Sequence, residues 1–168
     1  RHERLVRHLP DWKARGKVAY RLPDDGGSAN LIWEQSGAQS ELNLSGPLGA
    51  GSTQVRNDGP LISVRRDGIE RSYPADAAPW LPNGSLMPIP IDSIHYWLRG
   101  IPDPGRPVDE LSTQDGLARA IRQEGWLVAI DEYHEDGPAP LPRRLRIEAD
   151  KVGLTLRTYL RQWTFTVD

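Results

Sequence analysis

The chain contains no cysteine, which excludes disulfides, thiolate nucleophiles and every cysteine-containing zinc site. Methionine and phenylalanine occur once each. No apolar run approaches the ~20 residues that a membrane-spanning helix needs. A basic excess, the usual footprint of a nucleic-acid binder, is also missing: 21 Lys and Arg stand against 23 Asp and Glu, a net charge of -2. No nucleic-acid partner is therefore expected. The sequence has no G-x-S-x-G, H-E-x-x-H, P-loop or G-x-G-x-x-G motif. It opens at Arg1 without an initiator methionine or an apolar leader, the pattern of a mature or trimmed chain whose targeting segment has been removed.

What is present describes a globular protein. With 168 residues, 38% of them hydrophobic and 26% charged, one domain spanning residues 1–168 is expected. Sixteen glycines and fifteen prolines make up about 18% of the chain, against an average of roughly 12%. That density of breakers favours short strands joined by turns over a helical bundle.

The periodicity agrees. Residues 1–9 carry Leu5, Val6 and Leu9 on one helical stripe and Pro10 ends it, giving an N-terminal helical segment at 1–11. Residues 1–21 hold seven basic and two acidic side chains, a cationic stretch suited to an anionic membrane surface or to plain solvation. From Gly16 the period becomes two, with Val18, Tyr20 and Leu22 on one face. Asp24-Asp25-Gly26-Gly27 reads as a turn, and strands follow at 29–35, 41–45, 51–57, 61–66 and 69–73. Asn57-Asp58-Gly59 and Asp67-Gly68 are hairpin turns between the later ones. Residues 75–109 interrupt the meander with a short helix at 75–81 that contains Pro79, an extended approach at 88–90, and a better helix at 92–99. Asp92 or Ser93 is its expected cap, and Gly100 and Pro102 stop it. Strands return at 117–123, 126–134, around Leu145 and Ile147, and from Leu154 to Val167. The expected fold is mainly β with short helices, an α+β arrangement. It is an incomplete antiparallel β-barrel of ten or eleven strands with helices and loops over its concave apolar side.

The densest ionisable cluster is Asp131 to Asp136, where Glu132, His134 and Asp136 would share a strand face. An acid/base site can be built that way, but the run leads into Asp136-Gly137-Pro138, and a solvated hairpin tip is the better reading. Asn43-Leu44-Ser45 and Asn83-Gly84-Ser85 match the short glycosylation pattern. Trp33, Trp97, Trp126 and Trp163 suit either a cavity lining or a filled core, because both need the same residue types. Gly46-Pro47-Leu48-Gly49 holds one large apolar residue in a turn, either projecting from the sheet or folded back on the core edge.

Taken in order, the motifs resemble the LolB family of outer-membrane lipoprotein receptors. The resemblance rests on Trp33-Glu34-Gln35 leading to Gly46-Pro47-Leu48-Gly49, then on Met87-Pro88-Ile89-Pro90-Ile91-Asp92-Ser93-Ile94. Trp97-Leu98-Arg99-Gly100-Ile101-Pro102, Gly125-Trp126, Tyr133, Leu141-Pro142 and Trp163 complete it. It covers the chain from about Trp12 onward, and departs from the family at Pro79, at Ile130 where an aromatic is common, and in lacking the anchor cysteine.

The resemblance implies a receptor on the periplasmic face of the bacterial outer membrane, lipid-anchored in the full-length protein, and not an enzyme. It would take acylated lipoproteins from the periplasmic carrier LolA and place them among outer-membrane lipids, in the inner leaflet. No cofactor is expected, no metal, and the monomer is the expected state. The protruding apolar loop of the family falls on Gly46, Pro47, Leu48 and Gly49. The acyl cavity is expected to be lined by Leu31, Trp33, Leu44, Ile94, Trp97, Leu98, Trp126, Val128 and Trp163. A soluble lipid or lipoprotein carrier is the nearest alternative. A cell-envelope hydrolase using Glu132, His134 or Asp136 is the more remote one.

Overall fold

The computed structural model describes residues 2–46, 51–58, 60–74, 90–149, 151 and 153–165. The elements in chain order are α1 (His2–Arg7), β1 (Asp11–Leu22), β2 (Asp25–Ser36), β3 (Gln39–Ser45), β4 (Ser52–Asp58), β5 (Leu61–Arg66), β6 (Ile69–Pro74), α2 (Ile91–Trp97), β7 (Glu110–Gln114), β8 (Leu117–Gln123), β9 (Trp126–His134), β10 (Leu141–Ala149) and β11 (Leu154–Phe165). All eleven strands form one antiparallel sheet in the order β6-β5-β4-β3-β2-β1-β11-β10-β9-β8-β7. The two meanders of the chain are thus fused through β1 and β11, paired from Trp12↔Phe165 to Arg21↔Thr155. Segment 75–109 connects the two outermost strands, β6 and β7, which do not pair with each other. The barrel is therefore incomplete, as expected.

Alternation built the inner face. Trp12, Ala14, Leu31, Trp33, Leu42, Val55, Ile62 and Val64 are buried, with Val18, Tyr20 and Leu22 packed against them. α2 lies on this face and, with its C-cap residue Leu98, adds Ile91, Ile94, Trp97 and Leu98 to the same core. A smaller cluster of Val6, Ile101, Ala139 and Leu141 seats α1. Two-residue turns close several hairpins. Asp67-Gly68, Asp115-Gly116 and Glu124-Gly125 all have positive φ at both residues, the backbone that matches strand twist.

The structure corrects several expectations. The first hairpin turns at Pro23-Asp24, because Leu22 pairs with Asp25 and Tyr20 with Gly27. The two glycines extend the strand instead: a Cβ at Gly27 would stand 2.9 Å from the Tyr20 ring. Strand β1 starts at Asp11 rather than Gly16, absorbing a bulge at Arg15/Gly16. A Cβ at Gly16 would come within 1.7 Å of the Tyr159 carbonyl oxygen, so only glycine fits there.

Helix α2 has no side-chain cap. Asp92 instead accepts a 2.8 Å hydrogen bond from Asn57 Nδ2, and Ser93 donates to Asp103 Oδ2 at 2.6 Å. Both candidates were drawn into tertiary bonds. Strand β7 went unread because all five of its residues are exposed, so no apolar alternation marked it. The expected helix at 75–81, the approach at 88–89 and the Pro47-Leu48-Gly49 tip lie outside the described residues, as do Asn83-Gly84-Ser85 and Gly59.

Candidate functional site

Ile91, Ile94 and Leu98 recur at helical spacing, so α2 turns one apolar stripe toward the sheet. Between that stripe and the sheet lies a cavity of about 480 Å³. Its walls come from alternate positions of neighbouring strands: Val18 and Tyr20 of β1, Ala29, Leu31 and Trp33 of β2, Leu42 and Leu44 of β3, and Ile147, Leu156 and Thr158 from β10 and β11. Side chains two apart on one strand face the same side, which is why this half of the sheet presents a continuous apolar wall.

Polar groups gather at one end. Ser45, Gly46, Gly51, Ser52, Thr53, Arg66 and Asp67 line it, and Arg66 Nε donates to Thr53 Oγ1 at 3.2 Å. Gly46 N–H bonds the Gly51 carbonyl at 3.0 Å, closing the base of the loop that holds Pro47, Leu48 and Gly49. The sequence-predicted loop is therefore rooted at the polar end of the cavity.

Buried polar bonds fix α2 over the cavity. Gln123 of β8 is 0% exposed. Its Oε1 accepts from Trp97 Nε1 and from the Asp103 N–H, each at 2.8 Å. Its Nε2 donates to the Asp103 and Arg106 carbonyls at 3.0 and 3.1 Å. On the side of the helix region away from the cavity, buried Arg99 donates to the His95 carbonyl at 3.0 Å and reaches the carbonyls of Val6 and Leu9 at 3.4 Å. Its guanidinium also stands over the Trp12 and Tyr96 rings. Burial lowers the Arg99 pKa to about 10, which still leaves it charged at neutral pH. Burial, then the neighbouring Arg99, pushes His95 down to about 4, so His95 is neutral there.

Of the nine residues expected to line an acyl site, Leu31, Trp33, Leu44, Ile94 and Leu98 do border this cavity, and Trp97, Trp126, Val128 and Trp163 do not. Trp97 turns toward β8, where Gln123 takes its N–H, and Trp126 packs against it with ring centroids 6.2 Å apart. Val128 is fully buried in the core. Trp163 leans on Trp12 at 5.0 Å and donates to the Pro142 carbonyl at 3.0 Å. Apolar character identified these four as interior, but the side of α2 on which each falls is a matter of packing. The alternation of Val18 and Tyr20 marked them as inward-facing. Leu42 shares the face of Leu44 by the same alternation, and Ile147 that of Leu145, whereas Ala29 and Leu156 carried no signal of cavity contact.

The ionisable cluster serves the sheet. Glu132 lies 3.5 Å from Arg143 and 3.2 Å from Arg144. His134 Nε2 pairs with the Leu160 carbonyl at 2.6 Å, while Asp136 is exposed and 4.0 Å from His134 Nδ1.

Comparison with known proteins bears on this arrangement. Residues 10–163 match the family described as "Outer membrane lipoprotein LolB". An outer-membrane lipoprotein LolB of Alkalilimnicola ehrlichii is 32% identical over 163 residues, covering 96% of this chain and 80% of the relative. The LolB of Ectopseudomonas mendocina is 31% identical, covering 96% and 78%. Among solved structures, a LolA superfamily protein from Nitrosomonas europaea superposes with a TM-score of 0.60 at 9% identity, covering 95% of this chain and 88% of that one. A DUF1329 family protein from Desulfovibrio piger gives 0.62 at 8% identity, covering 98% and 90%. At such identities the likeness is one of fold.

Proposed function

The chain belongs to the LolB family of outer-membrane lipoproteins, receptors of the lipoprotein localisation system, and we propose that its cavity receives the acyl chains of lipoproteins handed over by LolA. The observation that carries this reading is the apolar cavity of about 480 Å³ between α2 and strands β1 to β3. Each CH₂ moved from water into such a space gains ~0.8 kcal/mol, so a cavity of this kind holds an acyl chain without specific polar contacts. Transfer then runs from weaker to tighter site, a tenfold bias for each ~1.4 kcal/mol, and ends in the bilayer.

Leu48 is assigned the contact with the membrane. One leucine entering hydrocarbon gains roughly 1.5–3 kcal/mol, too little to hold the protein but enough to touch the bilayer repeatedly. The root of its loop lies at the polar end of the cavity, so an acyl chain leaving there meets the lipid that Leu48 has contacted.

A two-step assay tests both parts, following lipoprotein from LolA to this chain and from this chain to liposomes. Ala29→Phe, which fills the cavity, should block the first step. Leu48→Glu should spare the first step and block the second, since a charge is strongly disfavoured in hydrocarbon. Normal acceptance by Ala29→Phe would refute the acyl site, and normal delivery by Leu48→Glu would refute the insertion role. Acceptance without any delivery by the unaltered chain would point to a soluble carrier.

A further inference from the structure

The fold splits the cationic N-terminal stretch and rebuilds it. Arg4 and Arg7 stay on α1, whereas Lys13, Arg15, Lys17 and Arg21 follow β1. Since Trp12, Ala14, Val18 and Tyr20 face the core, alternation sends Lys13, Arg15, Lys17 and Arg21 to the convex face. The neighbouring strand, β11, brings more charge to the same region from the other end of the chain. Lys17 pairs with Tyr159, Ala19 with Arg157 and Arg15 with Gln162, and Arg161 is exposed at the bulge.

Lys13 is matched by Glu34 at 3.2 Å. Arg15, Lys17, Arg21, Arg157 and Arg161 are exposed and have no acidic partner among the described residues. Arg157 even stands directly opposite Arg146 of β10, and like charges in that position destabilise a sheet. Arg146 is relieved by Asp131 and Glu148, but Arg157 is not. Five free cations on two adjacent strands of a chain with net charge -2 amount to a segregated positive surface. It reaches the C-terminal end of β1, where Tyr20, next to Arg21, lines the cavity.

We propose that this β1–β11 convex face docks on an anionic lipid surface. A protein partner would need an apolar or aromatic anchor at the centre of the contact. Between these cations lie Ala19, Thr155 and Gln162, the apolar neighbour of Arg15 on β2, Ile32, is half-buried, and the one aromatic ring, Tyr159, is already covered by Arg144 at 4.7 Å and Arg143 at 5.9 Å. Separated, flexible cations without an anchor match mobile lipid phosphates, which rearrange to meet each charge. The inference rests on the membrane location of the receptor reading, yet it concerns a surface away from the cavity.

The test is sedimentation of the cargo-free chain with vesicles of phosphatidylethanolamine and phosphatidylglycerol. The variant Arg15→Gln, Lys17→Gln, Arg21→Gln, Arg157→Gln is compared with a control of equal net charge, Arg56→Gln, Arg65→Gln, Arg71→Gln, Arg122→Gln. Each cation near such a surface is worth about a fivefold change in affinity, so the loss of four should weaken binding by the face variant about 600-fold. The control should lose far less, and added salt should erase the difference. Equal losses in both variants, or unchanged vesicle binding by the face variant, would overturn the proposal. Weakened binding to purified LolA in place of vesicles would assign the face to a protein. If lipoprotein transfer fails in the unaltered chain while this vesicle contrast holds, the receptor reading falls and the lipid-docking face stands.

Discussion

Gln123→Leu removes the polar fastening that holds the α2 region to β8. Three of the groups bonded to Gln123 are buried, namely Trp97 Nε1, the Asp103 N–H and the Asp103 carbonyl. The Arg106 carbonyl is partly exposed and water can replace its bond. Leaving a buried polar group unpaired costs about 1–3 kcal/mol, so three cost roughly 6 kcal/mol. A buried leucine offsets about 1.5–3 kcal/mol of that, leaving a net loss of about 3–4.5 kcal/mol. Urea denaturation at constant slope reads this directly as a lowered midpoint. Trp97→Phe removes one donor while Gln123 Oε1 keeps the Asp103 N–H, so it should cost clearly less. Because Ile91, Ile94 and Leu98 border the cavity from α2, Gln123→Leu should also weaken acyl binding in whatever fraction stays folded. A loss below about 1 kcal/mol, or equal losses for the two variants, would refute the view that this network fixes the helix.

Gly16→Ala should cost about 3 kcal/mol or more, because its Cβ would be driven into the Tyr159 carbonyl; a near-normal melting temperature would contradict the bulge geometry. His95 supplies a pH dependence. Its folded pKa, lowered to about 4 by burial and then by Arg99, lies below the ~6.5 of an unfolded histidine, so between those values the unfolded chain binds more protons. The stability held by neutral His95 is complete above about pH 6.5 and drains as pH falls toward about 4. The urea midpoint should drop across that window, and less steeply in His95→Gln; parallel curves would refute the assignment. Trp33 borders the cavity, so long-chain acyl ligands should shift tryptophan emission and raise the melting temperature. Trp33→Phe should abolish most of the emission change, and an undiminished change would place the ligand elsewhere.

Local chemistry was enough to place most elements. Val18, Tyr20 and Leu22 announced a strand with one buried face, and Asp67-Gly68 announced the turn between β5 and β6, because period-two burial and positive-φ turn residues are properties of a few consecutive side chains. The motifs around Trp33, Gly46 and Trp97 were likewise enough to indicate the family. What local chemistry lacked was depth and partnership. Trp97 and Leu98 are neighbours in one apolar stretch, yet Leu98 borders the cavity while Trp97 turns to Gln123, a residue 26 positions away. Asp92 had the composition of a helix cap, but Asn57 on β4 claimed it. Gly27 had the look of a turn, but the Tyr20 ring needed the space above it. The positive stretch at the start of the chain was visible as composition, whereas the free cationic face exists only because β1 pairs with β11, bringing Arg157 and Arg161 to Lys17 and Arg15 from the far end. Alternation tells each strand which side to bury; only the register between distant strands decides which side chains stand together.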